Sequence, residues 1–229
     1  MSHIYLVRHG QASFGTGNYD QLSERGYAQA RRLGQWWATA GVDPALVVSG
    51  AMQRHRQTAE SSLSGRELMI IPELNEYDHE NVLHVYRPEF EDRAAMLAFL
   101  ASQPHPAKAF QREFEAAVRR WVSGEHDSDY RESWPHFAAR VRTGLQRLQQ
   151  LAREVPSIAV YTSGGPIATM VGQMLELPTP RLIELTWVIA NASVTHVRLV
   201  DQGERLALLN FNNAAHFATP EHSELLTYR

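Results

Sequence analysis

Four short apolar runs punctuate the chain, and each gives way at once to polar or glycine-rich residues. Ile4–Val7 leads into Arg8-His9-Gly10, and Leu46–Val48 into Ser49-Gly50. Leu68–Ile71 runs through Pro72 toward Asn75-Glu76, and Ile158–Tyr161 leads into Thr162-Ser163-Gly164-Gly165-Pro166. Continuous apolar runs of this length suit strands buried on both faces of a parallel sheet. In such sheets ligands sit beyond the carboxyl ends of the strands, so the four polar segments are expected to converge on one crevice. Between the runs the period changes. Ala30, Leu33, Trp37 and Ala40 recur at helical spacing before a stop at Gly41; so do Phe110, Phe114, Val118 and Trp121, and then Trp134, Phe137, Val141, Leu145 and Leu148. Two later runs, Val194–Val200 and Leu206–Phe211, read as strands joined by a turn at Gln202-Gly203.

Strand and helix in alternation predict a layered α/β fold with a mostly parallel central sheet. Residues 80–130 break that alternation with helix-like sequence that has no strand partner. With no linker-like stretch at either end, they read as a helical insertion over the crevice within a single domain spanning residues 1–229. Its helices cannot be docked from pattern alone, so Tyr86, Arg87 and Arg112 are candidates for the crevice that the sequence does not assign to it.

Charge narrows the chemistry. Twenty-two Lys and Arg face 25 Asp and Glu over 229 residues, so no overall field favours nucleic acid or an anionic membrane, and any anion must be held by a local cluster. The chain has no cysteine, which excludes disulfides, zinc-thiolate sites and a cysteine nucleophile. The first residues lack the basic-then-apolar pattern of a secretory signal, and the most apolar later stretch, Leu182–Val194, is interrupted by Glu184 and Asn191. A soluble, cytoplasmic protein is expected.

The polar ends of the runs carry the candidate chemistry. Phosphoryl transfer needs a nucleophile, fixed positive charge around the phosphoryl oxygens and a proton donor for the leaving oxygen. His9 can attack if one ring nitrogen is neutral while the other is held by an acceptor, and the planar fork of Arg8 can grip two phosphate oxygens. Gly10 would let the backbone turn sharply behind them. Ser49 can cap a helix whose first turns carry Arg54 and Arg56; residues two apart face different ways, so one of the pair enters the crevice and the other is solvated. Among Glu73, Glu76, Asp78 and Glu80, a carboxyl with a raised pKa can serve as general acid. Asp78, His79 and Glu80 show no recurring metal-ligand spacing, so neither metal nor cofactor is expected. Ser163-Gly164-Gly165-Pro166 fits a strand-to-helix turn with Pro166 at the first helical position, where backbone amides attract an anion. Each segment alone also reads as plain structure: a turn, a wet helix, an acidic loop. The other histidines, among them His105, His136, His196, His216 and His222, and the five tryptophans read as structural.

Taken together, the blocks Leu6-Val7-Arg8-His9-Gly10-Gln11, Leu22-Ser23-Glu24-Arg25-Gly26 with Gln29-Ala30, Ser49 through Arg54 to Gln57-Thr58-Ala59, Leu74-Asn75-Glu76, Glu132-Ser133 and Gly164-Gly165 resemble the histidine phosphatase superfamily. The likeness is to the branch that includes phosphoglycerate mutases, and it runs over nearly the whole chain. It implies a three-layer α/β/α sandwich and a phosphatase acting on a small phosphorylated substrate. His9 would be phosphorylated, and Glu76 would protonate the leaving oxygen. Arg8 and Arg54 would hold the phosphoryl group, with Gln11, Ser163 and Gly164 also at the phosphate.

Two positions depart from that pattern. Ser163 stands where the family usually has a second histidine just before the glycine pair. Losing such a donor typically costs about 10²–10³ in rate, although a serine hydroxyl still donates a weaker bond. The substitution is consistent with a slow or selective enzyme, with another cation in its place (Arg56, His55 or His79), or with a module that only binds a phosphorylated ligand. A working phosphatase is the favoured expectation, since nucleophile, arginines and acid all remain. Gly15 lies where many members carry a phosphate-binding asparagine, with Asn18 close by. The tryptophan-asparagine pair typical of mutases after the Arg-His-Gly motif is missing, which places a mutase last.

Overall fold

A computed structural model describes residues 2–13 and 20–228. Gly15 and Asn18 lie outside the described residues. Among these residues six strands and eight α-helices form, and the chain divides into two compact units: one made of Met1–Glu76 with Arg140–Arg229, the other of Tyr77–Ala139.

The first unit is built on a sheet of order β3-β2-β4-β1-β5-β6, comprising β1 (His3–Arg8), β2 (Leu46–Ser49), β3 (Met69–Ile70), β4 (Ser157–Thr162), β5 (Val194–Val200) and β6 (Arg205–Asn213). β1, β2 and β3 run parallel to one another through β4, and only β5 is reversed, lying antiparallel to both β1 and β6. The fold is an α/β/α sandwich with a mostly parallel sheet, as the alternation predicts. The apolar runs become central strands because both of their faces are covered: Val7, Val47, Ala159 and Tyr161 pack with Leu33, Trp37, Ala59 and Val194 in one buried cluster. The third run forms less strand than its sequence suggests. Only Met69–Ile70 pairs, because Pro72 starts a 3₁₀ turn over Pro72–Leu74.

The register Arg8↔Thr162 and Ser49↔Tyr161 brings three carboxyl ends level, and Ile71 donates to the Ser49 carbonyl at 2.9 Å. α1 (Glu24–Ala40) and α2 (Gln53–Ser62) follow β1 and β2. α1 is capped at one end by the Ser23 hydroxyl, which accepts from Gly26 N, and at the other by Gly41 at φ 67°, a left-handed position that suits glycine. Ala40, placed by periodicity on the apolar face, is exposed in the last turn.

The second unit is entirely helical: α3 (His79–Tyr86), α4 (Arg93–Ala101), α5 (Pro106–Val122) and the first residues of α6 (Trp134–Leu151). Tyr77, Trp121, Trp134 and Phe137 form its aromatic centre, with ring centroids 4.7 to 5.8 Å apart. Arg87 is engaged inside this unit, stacked over Phe90 and Phe99 and paired with Glu89 and Glu113. Asp78 is the N-cap of α3, accepting from Asn81 N. α7 (Gly164–Met174) and α8 (Thr179–Val188) complete the first unit.

Candidate active site

The expected site residues of the first unit gather where β1, β2 and β4 end. His9 follows β1 and is 6% exposed; its backbone N–H bonds the Thr162 carbonyl of β4 at 2.8 Å. Its Nδ1 lies 2.6 Å from the Gly10 carbonyl. A carbonyl only accepts, so Nδ1 carries the hydrogen and Nε2 presents its lone pair. The Arg54 Nε–H points at that nitrogen from 3.2 Å. Burial holds the His9 pKa well below its ordinary value, and the positive charges of Arg54 and then Arg8 push it the same way; the Gly10 bond opposes them. The ring is neutral at pH 7, as a nitrogen nucleophile must be.

Arg54 is the arginine that turns inward, 2% exposed, while Arg56 is solvated. Its charge is balanced by Asp20, whose carboxylate accepts from Nη1 at 2.9 Å. The same carboxylate accepts from the backbone N–H of Gln53 at 2.8 Å and so caps α2 from outside the local sequence. Ser49, expected as that cap, instead donates to the Gly50 carbonyl; α2 starts four residues later, at Gln53, with Met52 as its N-cap. Thr58 ties helix to loop, accepting from Gly10 N and donating to the Arg54 carbonyl.

Gly10 serves a different purpose from the sharp turn expected of it. Its φ is not positive; a Cβ there would stand 2.5 Å from the Gly26 carbonyl oxygen, and one on Gly26 would stand 2.2 Å from Gln11 O. The two glycines let the loop after β1 touch the start of α1. Gln11 is held in that contact: its N–H bonds the Gln29 side chain, and its side-chain oxygen accepts from Ser23.

Next to His9 stand β4, which lies between β1 and β2, and α7, which follows it. Ser163 is the N-cap residue of α7 and fully buried. The helix starts at Gly164, so Pro166 is its third residue rather than its first, still within the turn whose N–H groups lack helical partners. The carboxyl group at this helix start is that of Glu76, one oxygen of which accepts from Gly165 N at 3.1 Å. Arg8 lies beside Gly164, where a Cβ would be 3.7 Å from its Nε. Its Nη1 donates to the carbonyls of Ile189 and Tyr228, so a two-pronged phosphate grip using Nη1 has to displace a carbonyl.

Several contributors have no local signature in the sequence. Asn191 donates to the His9 carbonyl at 3.2 Å, and Ala192, at φ 54°, donates to the Arg8 carbonyl at 3.0 Å. Thr227 bonds both Asn191 and Gln29. His55 Nε2 lies 2.6 Å from Ser163 Oγ, its ring 5.7 Å from that of His9. Of the three side chains that the sequence offered in place of the missing histidine (Arg56, His55 and His79), it is His55 that reaches Ser163. Nothing among the described residues groups three or more His, Asp or Glu side chains as a metal site, and no described helix is long and apolar enough to cross a membrane.

An α/β sandwich with a buried neutral histidine and a buried arginine at its strand ends defines the class. The chain belongs to the histidine phosphatase superfamily (branch 1), whose profile matches residues 4–212. Solved structures agree on the fold. A phosphoserine phosphatase variant from Entamoeba histolytica, in complex with phosphoserine, is 16% identical with a TM-score of 0.67, over 94% of this chain and 99% of that one. The alpha-ribazole phosphatase from Shigella flexneri is 18% identical with a TM-score of 0.61, over 92% and 96%. A phosphoglycerate mutase from Bacillus anthracis str. Sterne is 17% identical with a TM-score of 0.63, over 95% of each chain. No curated protein matches the chain in sequence.

Proposed function

We propose that the protein hydrolyses a small phosphate monoester through a phosphohistidine on His9. The observation that carries this reading is the His9 ring itself: buried, neutral, with Nδ1 tied to the Gly10 carbonyl and Nε2 facing the Arg54 guanidinium. A phosphoryl oxygen would replace Nε2 as the acceptor of the Arg54 N–H, which frees the lone pair for attack on phosphorus. As the N–P bond forms the ester P–O bond breaks, and the leaving oxygen takes a proton from the Glu76 carboxyl. Water then attacks phosphorus and returns a proton to Glu76; the N–P bond breaks, and orthophosphate and neutral His9 remain. Arg8 and the start of α7, with Gly164, supply further positive potential. Gln11 acts by holding the loop. The phosphatases among the structural neighbours, one solved with phosphoserine, support a small phosphorylated substrate.

Ser163 favours a second reading, a crevice that binds a phosphorylated ligand without turning it over. The experiment is phosphate release from an aryl phosphate. His9→Ala is expected to abolish it, by about 10⁴-fold or more, and Arg54→Ala to lower it about 10²–10³-fold. Unchanged release from purified His9→Ala protein would rule out the phosphohistidine. Tight orthophosphate binding with no release by the unaltered protein would favour the binding module.

A further inference from the structure

The reaction above assigns no task to the bond between His55 and Ser163, two side chains with no solvent exposure joined at 2.6 Å. Such a pair is costly to bury and is not needed to close the core, since an apolar pair of similar volume would do so without desolvating polar groups. Space has been made for it. His55 Nδ1 lies against Gly50, where a Cβ would be 2.4 Å away, and among the described residues this nitrogen has no hydrogen-bond partner. Among the described residues the hydrogen bond of the imidazole is therefore with Ser163, and the residue after Ser163 opens the helix beside Arg8.

The direction of the bond follows from what occupies the site. A neutral imidazole has one N–H, and a hydroxyl has one hydrogen. With the site empty, either group can donate to the other. A phosphoryl oxygen next to Ser163 can only accept, so it claims the hydroxyl hydrogen. The pair at 2.6 Å is then a hydrogen bond only if Nε2 carries the imidazole hydrogen. Chains of this kind strengthen link by link, because accepting a bond makes the hydroxyl a better donor.

Resting on the phosphatase reading, we propose that His55 is a positioning residue that donates from Nε2 to Ser163 Oγ and thereby aims the Ser163 hydroxyl at a phosphoryl oxygen. The resemblance to the family leads one to expect a histidine at position 163. Here the imidazole comes from α2, one residue beyond Arg54, and reaches the phosphoryl group through a serine. Arg54 and His55 face the same site from successive helix positions, one acting on His9 and the other on the start of α7.

The test is a double-mutant cycle on the full chain with His55→Ala, Ser163→Ala and both, read as kcat/KM for an aryl phosphate and as vanadate affinity by calorimetry. Each single change is expected to lower kcat/KM about 10–10²-fold, and the double variant to be no slower than the worse single one. His55→Gln, whose amide N–H can stand where Nε2 stands, should recover at least about tenfold over His55→Ala, an advantage a merely space-filling role would not confer. If His55→Ala does not fold, His55→Leu keeps the volume without the donor and takes its place. Losses that multiply in the double variant, or equal rates for the Gln and Leu variants, would overturn the proposal. Absence of turnover, or turnover surviving His9→Ala, defeats the phosphatase reading instead. Vanadate affinity then decides the pairing alone: coupled losses support it, and independent ones refute it.

Discussion

Two buried imidazoles stand side by side in this site, and they are held in opposite ways. His9 has both nitrogens specified: Nδ1 by a backbone carbonyl and Nε2 by a guanidinium. His55 has one nitrogen against a hydroxyl, which can donate or accept, and the other against bare glycine backbone. Both rings are pushed well below their ordinary pKa, chiefly by burial and then by Arg54. Neutrality is therefore common to the two, and the difference lies in the tautomer. For His9 the backbone fixes it whether or not a ligand is present. For His55 it depends on what Ser163 is doing. A nucleophile needs a lone pair that is always in place, whereas a hydrogen-bond relay needs one that can respond.

The strongest way to probe that shared neutrality is Arg54→Gln. The change removes a charge that acts on both rings and a direct bond to only one. It should lower kcat/KM about 10²–10³-fold. It should also move the acid limb of the pH–rate profile upward, because removing a nearby positive charge makes it easier to protonate His9. A rate loss with an unmoved acid limb would mean that Arg54 has no part in keeping His9 neutral.

How much of this was legible in the sequence follows from where each contact is made. The strands, α1 with its stop at Gly41, and the clustering of His9, Arg54 and Ser163 at the strand ends could be read, since periodicity, stops and motif blocks are local signals. The α2 cap could not. Asp20 lies 33 residues before Gln53, and pairing over that distance leaves no spacing rule. The short β3 was overestimated because Pro72 ends the pairing from beyond the run. The hold of Asn191, Ala192 and Thr227 on the end of β1 is equally remote. His55 is legible in sequence only as one of three side chains that could stand in for the missing histidine; what singles it out, its partner Ser163, is 108 residues away.

Acid should expose the neutral histidines as a stability cost. The folded pKa of His9 and of His55 lies below the ordinary value, and that of His216 falls to about 4, mainly through burial. Below an unfolded value of about 6.5 the unfolded chain therefore binds more protons than the folded one. Stability is complete above that pH and declines as the pH falls toward each folded value, which for His216 spans roughly pH 6.5 to 4. Each ring contributes a slope of up to about 1.4 kcal/mol per pH unit. Urea unfolding at pH 7, 6 and 5 should show the decline, and His55→Gln should make it shallower. An equally steep decline in that variant would place the His55 titration at its ordinary value and remove the likeness between the two rings.

The gentlest probe is Asp20, which bonds Arg54 and the start of α2 on the His9 side. Asp20→Ala removes the acceptor at the start of α2 and should cost about 1 kcal/mol in unfolding free energy. Asp20→Asn keeps an acceptor oxygen for Gln53 N but withdraws the counter-charge of Arg54. The carboxylate is 39% exposed, so solvent already screens the ion pair, and its loss should amount to about 0.5 kcal/mol, roughly two- to threefold in kcat/KM. The informative quantity is the coupling between His55 and Ser163 measured again in the Asp20→Asn background. If the two imidazoles are held independently, that coupling keeps its original size while the rate falls. A coupling that shrinks with the ion pair would mean that Arg54 carries the influence of Asp20 across to α7, and the two halves of the site would then be one network.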